Sequence, residues 1–322
     1  MSIVFGPVPS RRLGSSLGIN HIPPKNCSYA CVYCQVGATS SMSIERKEFY
    51  PIQEIISEVE QKINASLKSG ASIDYLTLVP DGEPTLDINL GRLIRDLHKF
   101  SYPVAVISNG SLIDRTDVQE ELLEADWVSL KIDAVQEDIW RKINRPHGRL
   151  SLPSILAGML IFRQKFKAAL VTETMLVEGL NDDLGAIQAL ADFLLELQSL
   201  KSWLSIPIRP PVETWVKPPC PTALWDILQT LSNKIPFTDL LFDLEETDFR
   251  STGNMREDIL SISAVHPIQE EALKNMLARA GADWAVVSDL ISANLIEKRL
   301  HAGKWFYTRS NLSARQPQNR NL

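Results

Sequence analysis

The sequence predicts an α/β fold with a parallel sheet, and three features of its pattern support this. Between residues 16 and 208, short segments rich in strand-forming residues alternate with segments whose apolar residues recur every three or four positions. Elements that alternate at this interval form right-handed βαβ units. Turn or polar residues, such as Asn109-Gly110, follow the predicted strands. Hydrophobic residues make up 44% and charged residues 22% of the 322 positions, which are ordinary values for a globular chain.

Six strands are expected, each short and rich in β-branched or apolar residues. They are predicted at 16–20, 73–79, 103–108, 127–132, 168–175 and 203–208. The first helix begins at Pro51, a residue suited to a helix start, and places Ile52, Ile55 and Val59 on one face. Further helices are predicted at 90–97, 151–165 and 183–198. Residues 1–15 lack any period and are expected to form an ordered but irregular lead-in.

The C-terminal part of the chain predicts a second, smaller domain. Helical spacing resumes at residue 222, and Gly253 lies in a stretch that begins with few apolar residues. Two helices then follow, with a stop at Gly281 between them and a hairpin around Gly303, which is the outline of a winged helix-turn-helix. The predicted segments are a large domain over 1–250, a linker over 251–263, a winged-helix-like domain over 264–310 and a flexible tail over 311–322.

Charge and composition exclude several classes of protein. The formal net charge of -6 and the isoelectric point near 5.5 provide no global attraction to phosphate, which counts against a generic nucleic-acid binder. No apolar run approaches the roughly 20 residues that span a bilayer, and the N-terminus does not look like a signal peptide. We therefore expect a cytoplasmic protein with reduced cysteines and no membrane partner. No pattern in the sequence predicts the oligomeric state.

Three of the four cysteines lie within eight residues, at Cys27, Cys31 and Cys34. This clustering predicts a shared ligand, and three thiolates on one loop suit an iron–sulfur cluster that lacks a fourth protein ligand. An open coordination position is typical of a reactive metal centre. Two alternatives remain open, which are a zinc site completed by His21 and ordinary burial of small residues in the core.

The cysteine loop, with Tyr33 immediately before its last cysteine, resembles the cluster motif of the radical S-adenosylmethionine (SAM) superfamily. Residues 5–14 (FGPVPSRRLG) and 16–20 (SLGIN) resemble the opening of a largely uncharacterised group in that superfamily, which is similar to the wyosine-base synthases that modify transfer RNA. The resemblance covers roughly residues 1–250. It implies an open, six-stranded partial (βα)6 barrel, a [4Fe-4S] cluster on the three cysteines, and SAM bound to the open iron. It also implies an electron donor such as flavodoxin or ferredoxin, and a 5′-deoxyadenosyl radical.

The resemblance assigns SAM contacts to residues at successive strand ends. Gly82 and Glu83 stand in place of the family's Gly-Gly-Glu motif, which holds the methionine ammonium, although Asp81 replaces its first glycine. A turn that caps the following helix is the alternative for this stretch. Ser108 and Asn109 close the third strand and are expected to contact the cofactor. Helix capping or surface exposure is the alternative for them.

Lys131 and Asp133 lie on the same face at the end of the fourth strand. We expect them to form an ion pair, or to bind the ribose hydroxyls and the methionine carboxylate of SAM. Tyr33 is expected to pack against adenine or simply within its loop. The other residues expected at the site come from the last two strands: Thr172 binds the cofactor, Glu173 meets Arg209 or the substrate, and Arg209 has a catalytic role.

Three hypotheses for function follow. The first is a radical SAM enzyme that modifies an RNA base, and the second is one that modifies or activates a protein or peptide. The third is a zinc-binding winged-helix regulator.

The remaining distinctive residues lie outside these strand ends. Arg11 and Arg12 could bind a phosphate or a carboxylate, and surface ion pairs are the alternative for them. Cys220 stands alone, so the chain lacks the cysteines for a second cluster, and the charges of the winged-helix candidate nearly balance, which does not favour duplex binding.

Overall fold

The computed structural model describes residues 3–235, 237–241 and 254–310. Its main feature is an eight-stranded sheet. The strands are β1 Val4–Ser10, β2 Gly14–Ile19, β3 Asn26–Cys27, β4 Ser41–Met42, β5 Tyr75–Leu78, β6 Val104–Ser108, β7 Trp127–Lys131, β8 Ala169–Met175, β9 Lys201–Ser205, β10 Thr238–Leu240, β11 Ile268–Gln269, β12 Ile296–His301 and β13 Lys304–Arg309. The helices are α1 Ile52–Ser69, α2 Leu90–Leu97, α3 Thr116–Leu122, α4 Glu137–Asn144, α5 Leu152–Lys165, α6 Leu184–Leu197, α7 Pro221–Lys234, α8 Met255–Val265, α9 Glu270–Ala280 and α10 Ala285–Ser292.

The sheet order is β1-β2-β5-β6-β7-β8-β9-β10, and every neighbouring pair from β2 to β10 is parallel. All six predicted strands are present, as β2 and β5 to β9. The α/β class with a mostly parallel sheet is therefore confirmed. Because the strands run in the same direction, the loops after β2, β5, β6, β7 and β8 meet at one edge, where parallel sheets place their ligands.

Two edge strands were not predicted. Residues 4–10, expected to be irregular, form β1, which pairs antiparallel with β2 from Val4↔Ile19 to Ser10↔Gly14. Pro7 and Pro9 obscured this strand, because proline is tolerated in a sheet mainly at an edge. At the other edge, β10 follows α7, although helical spacing had been expected throughout this stretch.

The helices bury the faces that their spacing indicates. Ile52, Ile55, Val59 and Ile63 of α1 are all buried in the core beneath the sheet. The helix ends at Gly70, whose left-handed backbone (φ 71°) places its amide within reach of the last carbonyls. In the described ranges, every helix is too short or too polar to cross a bilayer.

The C-terminal unit has a core of its own and includes one more helix than expected. Residues 255–263, assigned to a linker, belong to α8, where Ile259 and Ile262 are buried in the same cluster as residues of α9 and α10. The polar start of this stretch hid the helix, whose first turn is capped by the Asn254 side chain. Two helices and a hairpin then follow as predicted, with β11 as a third strand. Positions 251–253 and the expected tail at 311–322 lie outside the described residues.

Replacing Ile259 by alanine tests whether α8 is part of a packed core. Its side chain is fully buried, so removing it should lower the free energy of unfolding by about 2 to 5 kcal/mol. Ile291→Ala, at a position 36% exposed on α10, should cost less than about 1 kcal/mol. Urea unfolding measures both. Equal, small effects would mean that residues 255–263 behave as a linker after all.

Candidate active site

The cysteine loop follows β2 and is fixed to the C-terminal end of α4. The amide of Ala30 donates to the carbonyl oxygen of Asn144 at 3.0 Å. Cys27, Cys31 and Cys34 are all half-buried, and none forms a disulfide. The structure thus presents three free thiols on one loop at the edge where the parallel strands end.

Two side-chain amides point at sulfur atoms of this loop. Asn109 Nδ2 donates to Cys27 Sγ at 3.5 Å, and Asn144 Nδ2 donates to Cys31 Sγ at 3.4 Å. Burial raises the pKa of all three thiols, that of Cys31 to about 12, so they are protonated until a metal replaces the proton. Hydrogen bonds to cysteine sulfur are among the features that set the potential of iron–sulfur clusters. The donors therefore suit such a cluster.

The arrangement does not suit a single metal ion. Among the described residues, no three His, Cys, Asp or Glu side chains are placed to hold one ion. His21, the proposed fourth zinc ligand, is completely buried and is not grouped with the three cysteines. In a cluster each thiolate binds its own iron, so the sulfur atoms need not converge on one point. The zinc hypothesis thus has no support in this geometry.

Glu83 is a buried carboxylate with four hydrogen-bond donors. Its Oε1 accepts from Thr85 N at 3.0 Å, Thr85 Oγ1 at 2.6 Å and Ser108 Oγ at 2.7 Å, and its Oε2 accepts from Asn109 N at 2.8 Å. Burial raises its pKa, and these hydrogen bonds oppose the shift. Asn109 continues the network to the cysteine loop through Ser28 Oγ at 2.9 Å. Three of the predicted site residues are therefore joined.

Gly82 allows the cysteine loop to contact the loop after β5. A Cβ atom at this position would lie 2.1 Å from the carbonyl oxygen of Asn26, the residue that precedes Cys27. The same oxygen accepts the amide of Glu83 at 3.1 Å. Only glycine permits this approach of two backbones.

Asp81, where the family motif has a glycine, pairs with a lysine that the sequence analysis missed. Lys25 Nζ lies 2.7 Å from Asp81 Oδ1, and the two side chains are 9% and 5% exposed. The amide of Lys25 also donates to the Asp81 carbonyl at 2.7 Å. Burial raises the pKa of Asp81 to about 6, while Lys25 acts to lower it. This pair joins the same two loops beside Gly82.

Tyr33 and Asp133 are in direct contact. The Tyr33 hydroxyl and Asn144 Nδ2 both donate to Asp133 Oδ2, the latter at 2.7 Å, and the amide of Met175 donates to Asp133 Oδ1 at 2.7 Å. Lys131 Nζ lies 5.0 Å from the centre of the Tyr33 ring. Lys131 and Asp133 thus flank Tyr33 without the direct ion pair that the sequence analysis suggested.

Lys131 instead pairs with Glu173, at 3.0 Å. Arg12 and the Ser205 hydroxyl bind the same carboxylate, the latter at 3.0 Å. Arg12 thus supplies the guanidinium that was expected from Arg209. These contacts join four segments that are far apart in the sequence, so a local sequence pattern could not predict them.

Arg209 lies nearby, in a polar pocket that Arg11, Arg12 and Glu173 also line. Arg209 Nη1 donates to Gln35 Oε1 at 3.1 Å, which connects the pocket to the residue after Cys34. The predicted Arg209 is therefore close to both the cysteine loop and the Glu173 network.

Thr172 is not part of this arrangement. Its hydroxyl donates to Ser202 Oγ at 3.0 Å on the face of β8 opposite to Glu173. Cys220, the fourth cysteine, is exposed and precedes α7.

Changing Gly82 tests the contact between the two loops. Gly82→Ala should displace Asn26 and the adjacent Cys27, which would sharply lower the iron and sulfide bound after anaerobic reconstitution. Gly148→Ala is the control, because an added Cβ there meets no atom within 4 Å. Iron content and visible absorbance measure the effect. Equal cluster content in both variants would contradict the close contact.

Comparisons with known proteins agree with this geometry. The family model of the radical SAM superfamily matches residues 22–191. A UPF0026 protein of Methanocaldococcus jannaschii is 45% identical over 315 residues, which cover 96% of this chain and 97% of that protein. The S-adenosyl-L-methionine-dependent tRNA 4-demethylwyosine synthase of the same organism is 36% identical over 111 residues, which cover 34% of this chain and 33% of that enzyme.

Solved structures show the same fold. A radical SAM methyltransferase from Sphaerobacter thermophilus has a TM-score of 0.53 at 15% identity, covering 70% of this chain and 66% of that protein. At this identity the likeness concerns the fold alone. The matched family model spans the cysteine loop and the Glu83 network, and the resemblance noted in the sequence is confirmed. This chain belongs to the radical SAM superfamily of enzymes.

Proposed function

We propose that the protein cleaves SAM reductively at a [4Fe-4S] cluster held by Cys27, Cys31 and Cys34, and that the resulting 5′-deoxyadenosyl radical modifies an RNA base. The observation that carries the first part is the set of three free thiols, two of them with amide donors, at the edge where the parallel strands end. A cluster of this kind supplies the electron that breaks a carbon–sulfur bond of SAM, and the protein supplies binding and orientation.

The residues around the loop have distinct roles in this proposal. Glu83 Oε2 accepts one protein hydrogen bond and keeps capacity for the methionine ammonium, beside Ser108 and Asn109. The Tyr33 hydroxyl donates to Asp133 and the Lys131 ammonium lies over the Tyr33 ring, which limits the space for adenine. Each of these side chains is held by other protein groups, so little ordering is needed when SAM binds.

Support for an RNA substrate comes from two sources. The wyosine synthase named above is similar to this chain over 111 residues, and that protein acts on transfer RNA by its name. Arg12 and Arg209 line the pocket beside the cysteine loop, and guanidinium groups bind phosphate well.

We assign substrate selection to the C-terminal unit, which we propose to be a winged-helix-like domain. An electron donor such as flavodoxin or ferredoxin and a cytoplasmic location complete the proposal.

Removing any one of the three cluster cysteines should abolish SAM cleavage. Cys27→Ala, Cys31→Ala and Cys34→Ala should lose the paramagnetic signal of the reduced cluster and release no 5′-deoxyadenosine. Cys220→Ala should behave like the parent protein, because Cys220 is exposed and separate from the loop. Bound zinc in place of a cluster, with no nucleoside product, would refute the enzymatic proposal.

Capture from cells tests the substrate. Wild-type protein should retain RNA, and Arg209→Gln should weaken this retention roughly tenfold, as expected for the loss of one charge-assisted contact. Arg92→Gln, at a side chain 60% exposed on α2, is the matched control and should retain RNA normally. Enrichment of peptides without RNA would favour the protein substrate instead.

A further inference from the structure

The hairpin of β12 and β13 carries a local positive charge on a chain that is acidic overall. Residues 296–309 contain four lysine or arginine side chains and one glutamate, whereas the whole chain has a formal net charge of -6. The other carboxylates of the C-terminal unit lie on α8, α9 and α10 and in the turn before α10. The near balance of charge in this unit as a whole therefore does not apply to the hairpin.

Trp305 is exposed on this hairpin, and an ammonium group holds its ring in place. The residue is 42% exposed. Lys298 Nζ lies 4.5 Å from the centre of the Trp305 ring and pairs with Glu270 on α9 at 2.6 Å. The Tyr307 hydroxyl donates to the same carboxylate at 3.0 Å. Because the ion pair fixes the ammonium over the ring, the indole is oriented before any ligand arrives.

The two faces of the hairpin have different surroundings. His301 lies on the face opposite to Trp305, and its Nε2 donates to the carbonyl oxygen of Pro207 at 3.0 Å. Leu300 stands directly opposite Trp305 in the ladder, shares its face and is 59% exposed. One face of the hairpin thus contacts the segment after β9, and the other presents an apolar surface with an aromatic ring.

The contact with Pro207 places the hairpin next to the arginine pocket. Arg209 lies two residues beyond Pro207, which corresponds to at most about 7 Å of chain. It lines the pocket together with Arg11 and Arg12. Gln35, the residue after the last cysteine of the loop, lines the same pocket. An extended, negatively charged ligand can therefore contact the hairpin and enter the pocket at once.

Exposure of a tryptophan is not remarkable by itself, since single apolar side chains are common on protein surfaces. Trp225 on α7, for example, is 62% exposed. Trp305 differs because an ammonium is held over its ring and further basic side chains share its hairpin. Aromatic platforms combined with cations are what proteins use to bind single-stranded nucleic acid, in which the faces of the bases are accessible.

We propose that the β12–β13 hairpin binds a single-stranded segment of the RNA substrate, with Trp305 stacking on an unpaired base and the basic side chains of the hairpin attracting the adjacent phosphates. The inference rests on the proposed function and assigns the recognition of RNA to one defined element. A base held at Trp305 directs the neighbouring nucleotides toward the arginine pocket and the cysteine loop.

The test is the affinity of the reconstituted full-length protein for a short, labelled single-stranded RNA, measured by fluorescence anisotropy. Trp305→Ala should weaken binding roughly tenfold, as expected for the loss of one stacked base. Trp305→Phe should keep most of the affinity, because an aromatic ring remains. Trp225→Ala is the matched control and should bind normally, since it removes a more exposed tryptophan from a different surface. Lys304→Gln should reduce the dependence of the affinity on salt.

Ultraviolet crosslinking of RNA to the parent protein provides a second measurement that needs no variant. Trypsin cleaves after Lys304 and Arg309, so Trp305 begins the peptide 305–309. This peptide should carry a crosslinked nucleotide. Crosslinks confined to other peptides would overturn the inference, and this result decides the question even if Trp305→Ala fails to fold.

The outcomes separate this inference from the proposed function. If the parent protein binds RNA and Arg209→Gln weakens binding while Trp305→Ala leaves it unchanged, the inference fails and the proposed function stands. Equal affinity for the single strand and for a duplex of the same sequence would also overturn it. If the parent protein binds no RNA, the proposed substrate fails first and the inference fails with it. Binding to anionic lipid vesicles that depends on Trp305, without binding of RNA, would assign the hairpin to a membrane surface instead.

Discussion

The cluster loop depends on one buried carboxylate. Glu83 accepts four hydrogen bonds, two from Thr85 in its own turn and one each from Ser108 and Asn109 at the end of β6. An unpaired carboxylate in such a position would be strongly disfavoured. With these donors Glu83 fixes the ends of β5 and β6 relative to each other. Asn109 in turn donates to Cys27 Sγ and Ser28 Oγ, which holds the cysteine loop at the end of β6.

Three further contacts fix the loop from other directions. Gly82 lets the backbone at Asn26 approach, Lys25 binds Asp81, and Ala30 binds the end of α4. Each contact joins segments far apart in sequence. A reactive metal with an open position needs this rigidity, because small displacements of the bound reactant reduce the rate greatly.

Local sequence patterns predicted the parts that depend on local chemistry. The six parallel strands follow from the periodicity of the sequence, and the three cysteines stand out by their clustering. The site residues at the strand ends, such as Glu83 and Asn109, were identified through the resemblance to the radical SAM superfamily. Contacts between distant segments could not be predicted from the sequence pattern. Arg12 reaches Glu173 across 161 positions, and Asp81 was noted only as an exception to a motif, without its partner Lys25. Such pairs depend on how the sheet brings loops together, which periodicity does not encode.

The elements that the sequence did not predict, such as β1 and α8, also depend on contacts with distant parts of the chain. Prolines in β1 are compatible with a strand only because that strand lies at an edge, and this position is known only from the whole sheet. Thr172 and Glu173 lie on opposite faces of β8, and alternation along a strand separates the two faces without showing which of them borders the cysteine loop. The polar beginning of α8 concealed a helix whose apolar residues become clear only against α9 and α10.

The central claim is that three cysteines leave one iron of a four-iron cluster open for SAM. Mössbauer spectroscopy of protein reconstituted with iron-57 tests this directly. We expect that adding SAM changes the Mössbauer parameters of one iron in four and leaves those of the other three as they were. Four irons that all remain unchanged on addition of SAM, or iron that never assembles into a cluster, would contradict it.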